Sequence, residues 1–370
     1  MSRHPIPVIG LLVLMAWTTS AGADDVVAEI DLRSVATSNT FLDKSNEWDL
    51  ALKPAAEVGY DFGRFWSVGY NGALAAYTRH TELLSHWHEF YLFANPAWGD
   101  GGQNELVVEA TLETLRNRDQ YAALNMLQPM LQAKLILEPR DWLRWRVSAR
   151  GVHRWYYEDE QSSSFDAWAA TRLTFTLPSR TTISPRLAYG HRWYTAAGSS
   201  GGRSGSTDQR DQQLEAGLHV SQALWRGAGL RLDYAYLLAL GDSGILQRKL
   251  TDAQFAYLGE AFLFSGHRAL AGLKQLLGAG MVADISAHLV ERDFAGWPAV
   301  DASGMLLAAD RRDLRLGPRL TFGYAWRSGT EDCLPSVNLD VAYQYLRQWS
   351  NSDWYDTEVH LVGLSLWGTW

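Results

Sequence analysis

Arginines at alternate positions form the clearest chemical pattern in the sequence. Arg144, Arg146, Arg150 and Arg154 are separated by even numbers of residues, so in an extended strand their side chains lie on one face. A guanidinium group keeps its charge at any ordinary pH and presents a planar fork of donors that suits oxyanions. We therefore expect this face to attract anions.

The same parity argument extends this charged face to other segments. If the apolar face of each strand points outward, the charged face encloses an inner space. The predicted inward cations are Lys134, Arg144, Arg146, Arg150, Arg154, Arg172, Arg186, Arg192, Arg231, Arg315 and Arg319. The predicted inward carboxylates are Glu57, Glu105, Glu109 and Glu113, together with Asp49, Asp233 and Asp340. We expect a water-filled path with a preference for anions. The alternative is that these charges neutralise each other and only keep a narrow lumen hydrated.

Histidines form a second pattern that could carry chemistry. His86 and His88 lie two residues apart in SHWHE, a spacing that could bind a metal ion or, with Ser85 and Glu89, form a lipid-facing hydrolase site. Four further histidines share the outward parity near one end of their strands: His80, His153, His191 and His360. We favour the alternative, a ring of amphipathic side chains at a membrane interface. No catalytic residue, metal or cofactor is therefore predicted.

The elements that position these side chains are predicted to be strands. From residue 26 onward the sequence alternates apolar and polar residues in segments of about ten to fifteen residues, which suits tilted membrane strands. About sixteen segments are predicted, at 26–36, 47–60, 65–77, 86–95, 105–115, 124–137, 142–157, 165–177, 183–195, 212–224, 230–240, 253–264, 276–292, 312–326, 337–349 and 357–370. Residues 265–277 are the least regular stretch and are predicted to form a short helix at a turn. If another weak segment fails, the number falls to fourteen.

The connections between these segments differ in length from one side to the other. The short ones are DFG, EPRD, PSRT and WRGAG, whereas the long ones cover residues 196–211, 241–252 and 294–310. Short turns on one side and long loops on the other are typical of outer-membrane barrels. The apolar segment 294–310 is the loop predicted to fill the lumen. Tryptophans near strand ends suggest two aromatic girdles: Trp48, Trp66, Trp87, Trp145, Trp155, Trp193, Trp225, Trp326 and Trp349.

The N-terminus and the composition define the class of protein. Arg3 precedes an apolar run at residues 6–17, and Ala21 and Ala23 occupy small-residue cleavage positions, so residues 1–23 are predicted to be a secretory signal peptide and 24–370 the barrel. No later apolar run reaches about 18 residues, which argues against a spanning helix. The single cysteine, Cys333, excludes an internal disulfide. A net charge of −8 argues against a nucleic-acid partner.

The last segment, EVHLVGLSLWGTW, resembles the closing strand of Gram-negative outer-membrane β-barrels. Val362, Leu364 and Leu366 share one face, and the chain ends on the aromatic Trp370. The resemblance implies an all-β, transmembrane, antiparallel up-and-down barrel in the outer membrane. It also implies contact with outer-membrane lipid and lipopolysaccharide, and a C-terminal strand that the barrel-assembly machinery reads.

The expected function is a porin-like channel for diffusion of small polar or anionic solutes. Two alternatives stay open at this point. One is an outer-membrane enzyme that acts on lipid. The other is a non-conducting barrel that serves assembly, anchoring or polysaccharide secretion.

Overall fold

The computed structural model describes residues 26–40, 47–62, 64–158, 163–194, 210–240, 264–327 and 336–369. The predicted signal peptide, Cys333 and Trp370 lie outside these residues. The described strands are β1 (Val26–Thr37), β2 (Asp49–Phe62), β3 (Trp66–Tyr77), β4 (Ser85–Ala94), β5 (Ala97–Trp98), β6 (Asn104–Asn117), β7 (Met126–Arg140), β8 (Leu143–Tyr156), β9 (Ser164–Thr176), β10 (Thr181–Tyr194), β11 (Arg210–Trp225), β12 (Ala228–Ala239), β13 (Gly266–Gly278), β14 (Met281–Val300), β15 (Leu306–Arg327), β16 (Ser336–Ser350) and β17 (Thr357–Thr369).

These strands form one closed antiparallel barrel. Each long strand pairs with the next, β4 pairs directly with β6, and β17 returns to pair with β1. The two-residue strand β5 pairs only with the end of β6, so the barrel itself has sixteen strands. The predicted all-β barrel of about sixteen strands is confirmed. Closure leaves no open sheet edge, which a lipid bilayer requires.

Short connections at one end and longer ones at the other give the barrel two distinct ends. Two-residue turns join β7 to β8, β11 to β12 and β13 to β14 at what we call the short-turn end. We call the opposite end of the barrel the long-loop end. Short 3₁₀ helices occur in other connections: Thr81–Leu83, Asp100–Gly102, Asp119–Leu124 and Asp353–Tyr355. Within the described ranges, no helix is long and apolar enough to cross a membrane.

The outer face of the barrel is apolar around its whole circumference. Large apolar side chains such as Leu131, Leu218, Ile285 and Leu364 are exposed at every second position of their strands. Exposed tryptophans lie near both ends, including Trp66, Trp145, Trp155, Trp225, Trp326 and Trp349. A closed barrel with an apolar exterior and aromatic girdles is suited to a lipid bilayer. The prediction that Trp87 belongs to a girdle is wrong, because its indole N–H donates to inward-facing Glu113.

The polar face is the inner one, as bonds between non-neighbouring strands demonstrate. Tyr91 on β4 donates to Glu57 on β2 at 3.0 Å, and Arg292 on β14 donates to Gln348 on β16 at 2.6 Å. Side chains converge on the concave side of a curved sheet, so they can meet there across an intervening strand. The two-residue alternation of β-strands thus separates a lipid-facing from an inward-facing set.

One strand lies where a helix was predicted. Residues 265–277 were expected to form a short helix at a turn, but they belong to β13, which pairs with β12 and β14 along nearly its whole length. Apart from Phe264, the strand predicted at 253–264 lies outside the described residues. The inward Leu270 and the small outward Ala269 and Ala271 weaken the apolar contrast between the two faces of β13, so its partners on both sides decide its structure.

The segment expected to fill the lumen is mostly a hairpin. Strand β14 continues to Val300 and β15 begins at Leu306, with a turn between them. At the base of the hairpin, Phe294 is buried against Phe264 and packs with Trp297. This cluster covers part of the inner face at the long-loop end of the barrel.

Candidate functional site

Three arginines lie side by side on the inner face of adjacent strands. Arg146 on β8 pairs in register with Arg172 on β9, which pairs in register with Arg186 on β10. We call these three residues the arginine row. Like charges directly opposite each other on neighbouring strands destabilise a sheet. The row is therefore not explained by the stability of the barrel.

The arginines of this wall differ in whether a carboxylate balances them. Arg186 contacts Glu215 at 2.9 Å. In the part of the chain that the structure describes, no carboxylate lies within 4 Å of Arg146, Arg172 or the nearby inward Arg150. Arg144 is different, because its Nε lies 2.7 Å from Glu138. Three guanidinium groups on this wall thus carry charge without a local counter-ion.

A row of carboxylates lies on another part of the inner wall. Glu29, Glu57, Asn71, Glu89 and Glu113 pair in register from β1 to β6, so four glutamates and one asparagine follow one another across five adjacent barrel strands. We call the four glutamates the acidic row. The inner surface therefore has a basic wall on β8–β10 and an acidic wall on β1–β6.

Hydrogen bonds hold the acidic row in place. Glu57 accepts from Tyr91, and Glu113 accepts from Trp87 and, at 2.6 Å, from Gln128. Where the two walls adjoin, oppositely charged groups come within 4 Å: Lys134 with Glu109 and Arg144 with Glu105, both at 3.9 Å. Away from this junction the walls are not uniform, because inward Arg33 and Lys53 lie on β1 and β2 and inward Asp166 lies on β9.

Two adjoining cavities lie in the wall beyond the arginine row. The first has a volume of about 350 Å³ and is bordered by Arg172, Arg186 and Arg268 together with Glu215 and Asp233. The second, of about 560 Å³, lies nearer the short-turn end, as Gly280 and Trp367 on its border indicate. Its charged lining residues are Arg231, Lys274, Asp284, Arg319 and Asp340. Both cavities offer guanidinium donors and polar acceptors to a solute of modest size.

Inward arginines near the long-loop end are locked into buried clusters. Arg192 is 1% exposed and forms a two-pronged contact with Asp166 at 2.7 and 2.8 Å, while Arg154 also contacts Asp166. On the other side, Arg292 and Arg311 share Asp313 at 3.1 and 2.6 Å. Arg311 also stacks on the ring of Tyr355. These groups hold strands and loops together.

Solved structures with this architecture come from outer-membrane proteins. OccAB3 of Acinetobacter baumannii, an outer-membrane porin, aligns with 94% of this chain and 99% of its own, with a TM-score of 0.52 and 8% sequence identity. This chain has the fold of an outer-membrane porin. CdiB, also from Acinetobacter baumannii, aligns with 92% of this chain and 60% of its own, with a TM-score of 0.53 and 10% identity. No protein-family model and no curated protein sequence matches the chain.

All the charged residues singled out from the sequence have inward parity in this porin fold, but their access differs. Arg192 is buried, and Arg315 donates to Gln348 at 2.7 and 3.0 Å, so both belong to the packed part of the wall. Arg231 lies 3.5 Å from Asp233, and Arg319 lines the larger cavity. Asp49 has a structural role, because it accepts the backbone N–H groups of Thr78, Arg79 and His80.

The sequence reasoning missed several inward residues. Glu29, Glu89, Glu215, His219 and His288 alternate with apolar outward residues, so parity alone could have found them. Arg268 and Lys274 were missed because β13 was not predicted as a strand.

The outward histidines do not assemble the hydrolase site considered from the sequence. His86 and His88 face outward and contact each other at 2.9 Å, and His88 also bonds to the hydroxyl of Tyr70. Ser85 and Glu89 alternate with them and therefore face inward. The four side chains thus lie on opposite sides of the barrel wall. His80 lies in the connection after β3, within 3.0 Å of Glu47 and Glu82.

Proposed function

We propose that this chain is an outer-membrane channel through which small anionic solutes diffuse along the basic wall. The observation that carries the proposal is the in-register row of Arg146, Arg172 and Arg186 on the inner face. A row of like charges lowers the stability of the sheet, so a role outside folding accounts for it best.

The electrostatics of the lumen favour an anion near this wall. Arg146, Arg150 and Arg172 have no carboxylate within 4 Å among the residues that the structure describes, so a passing anion would provide their nearest negative charge. The acidic row on β1–β6 repels the same solute towards the basic wall. A barrel of sixteen strands is wide enough to enclose an aqueous path. Two walls of opposite charge would also orient a polar solute within that path.

The remaining parts of the proposal concern location and partners. The apolar exterior, the aromatic girdles and the predicted signal peptide support residence in the outer membrane. The outward histidines near the long-loop end, including His88 and His360, would meet lipid headgroups, which in the outer leaflet include lipopolysaccharide. The strand β17 would be the segment that the barrel-assembly machinery recognises.

Ion selectivity tests the role of the basic wall. In planar bilayers with a salt gradient, the triple variant Arg146→Gln, Arg150→Gln, Arg172→Gln should shift the reversal potential towards cation preference. Arg312→Gln is the matched control, because Arg312 faces outward and pairs with Asp293 at 3.2 Å. The control should keep the wild-type reversal potential.

Two results would reject the proposal. An unchanged reversal potential in the triple variant would show that these arginines do not line the path. A folded wild-type protein that produces no conductance would point instead to a non-conducting barrel with an assembly, anchoring or secretion role.

A further inference from the structure

One inward histidine lies at the boundary between the two wall cavities. His288 on β14 pairs in register with Leu270 on β13 and with Gly317 on β15. Leu270 and His288 border both the 350 Å³ cavity and the 560 Å³ cavity. We call these two side chains the ridge between the cavities.

The position of the His288 ring depends on the absence of a side chain at residue 317. The imidazole lies over Gly317, and a Cβ added there would overlap its Cε1, Nε2 and Nδ1 atoms. The backbone of Gly317 does not have the positive φ that favours glycine. The space occupied by the ring, and not backbone conformation, therefore accounts for glycine at this position.

The charged groups around His288 are mainly cationic. On the two neighbouring strands the inward ones are Arg268 and Lys274 on β13 and Arg311, Asp313, Arg315 and Arg319 on β15. On β14 itself they are Asp284 and Arg292. The other charged or titratable groups that border the two cavities are Arg172, Arg186, Arg231, Glu215, Asp340 and the pair His219–Asp233. Within the described ranges, no carboxylate lies within 4 Å of the His288 ring.

The other inward histidine has a different environment. His219 on β11 lies with its Nδ1 2.5 Å from Asp233, so a proton on its ring is balanced by an adjacent carboxylate. A proton on His288 would add an unbalanced positive charge to the ridge. Histidine is the side chain whose charge ordinarily changes between pH 5 and 8, whereas the surrounding arginines do not titrate.

We propose that His288 is a selectivity-determining residue of the channel, and that its protonation strengthens the preference for anions as the pH falls from 7 to 5. This inference rests on the channel function proposed above. It adds a specific residue at the ridge between the two cavities, and a dependence on pH that the arginine row alone cannot produce.

The test measures the reversal potential of the full-length protein in planar bilayers at pH 7 and pH 5. In the wild type, the anion-to-cation permeability ratio should rise about twofold over this range, as one added charge several ångströms from the path would produce. His288→Gln should reduce that rise, and the part contributed by the lumen carboxylates should remain. His219→Gln should have a smaller effect, and outward-facing His360→Gln should behave like the wild type.

A second pair of variants tests the position of the ring. Gly317→Ala should displace the imidazole of His288 from its position over residue 317 and so change the single-channel conductance. Gly317→Ala combined with His288→Ala should not reproduce that change. A pH-dependent rise in His288→Gln as large as in the wild type would overturn the proposal, as would a wild type without any rise. Either result leaves the channel itself in place, whereas a wild type without conductance rejects the proposed function.

Discussion

Inward-facing arginines occur in two contrasting regions of this barrel. Near the long-loop end, Arg292 and Arg311 are buried and share Asp313, whose side chain is fully shielded from solvent. In the arginine row, Arg146 and Arg172 face each other and have no carboxylate within 4 Å in the described part of the chain. Residue type and parity are the same in both regions. Only burial and partners differ.

This comparison separates a structural role from a functional one. A buried guanidinium with a bonded carboxylate fixes the relative position of strands, and removing one partner leaves an uncompensated charge. An accessible guanidinium without a counter-ion contributes little to folding and remains available to a mobile anion. Inward parity alone therefore does not identify the residues along a path.

The largest expected effect concerns the buried cluster. Asp313→Asn leaves Arg292 and Arg311 without their carboxylate, and we expect the free energy of unfolding to fall by about 3–5 kcal/mol. Urea unfolding of the protein in lipid vesicles measures this loss. Asp293→Asn is the control, because that carboxylate faces outward, is exposed and pairs with exposed Arg312. A change below about 1 kcal/mol in both variants would remove the distinction between the two regions.

A third environment for arginine, the lipid face, sharpens the comparison. Leu131 on β7 faces outward and is 59% exposed on the barrel surface, whereas Gln132 faces the lumen. Leu131→Arg should reduce the free energy of unfolding by about 2–4 kcal/mol, because it places a charge in hydrocarbon. Gln132→Arg should be nearly neutral in the same measurement. Equal losses would contradict the assigned parity of β7.

The arginine row itself should matter little for stability. The triple variant Arg146→Gln, Arg150→Gln, Arg172→Gln removes like charges that repel one another, so we expect a change within about 1 kcal/mol in either direction. The same vesicle unfolding measurement applies. A loss of more than about 2 kcal/mol would mean that these arginines hold the barrel together as Arg292 does.

The smallest effect is expected at the solvent-exposed turn between β14 and β15. Asp301 accepts hydrogen bonds from the Ser303 hydroxyl at 2.7 Å and from the backbone N–H groups of Met305 and Ser303 at 2.9 and 2.8 Å. These bonds lower the pKa of Asp301 below its usual value. They therefore stabilise the turn at pH values at and above the usual pKa of a carboxyl group. This contribution is lost as the pH falls through the lowered pKa of Asp301.

Hydrogen exchange measures this local effect. At neutral pH, Asp301→Ala should reduce the protection of the Met305 amide against exchange. The protection of the β14 amides that precede Phe294 in the sequence should not change. Protection of Met305 that is equal in the variant and the wild type would show that the carboxylate does not order the turn.

Much of the fold follows from local pattern. Val362, Leu364 and Leu366 alternate with inward residues, and the structure places them on the exposed face of β17, as predicted. The inward parity of Arg146, Arg172 and Glu113 follows from the same rule. The sequence also predicted a barrel of about sixteen strands, because an apolar exterior and short turns repeat in almost every hairpin.

The two errors made from the sequence have different causes. Trp87 lies between His86 and His88, so once those histidines face outward it must face inward, where it meets Glu113. Strand β13 lacks a clear apolar face and was predicted as a helix, but β12 and β14 supply hydrogen-bond partners on both of its sides. For β13 the neighbouring strands supplied the missing information, whereas the alternation of Trp87 with its two histidines was already visible in the sequence.

Where a strand was predicted, the sequence by itself determined which side of the barrel wall its residues occupy, because side chains alternate from one residue to the next. Only the tertiary structure decided which charges are neutralised. Arg292 donates a hydrogen bond to Gln348, 56 positions away in the sequence, whereas Arg146 lies opposite Arg172 and not opposite an acidic residue. Strand order and register bring these distant segments together. Pairing across a closed sheet depends on these long-range contacts, which no local alternation specifies.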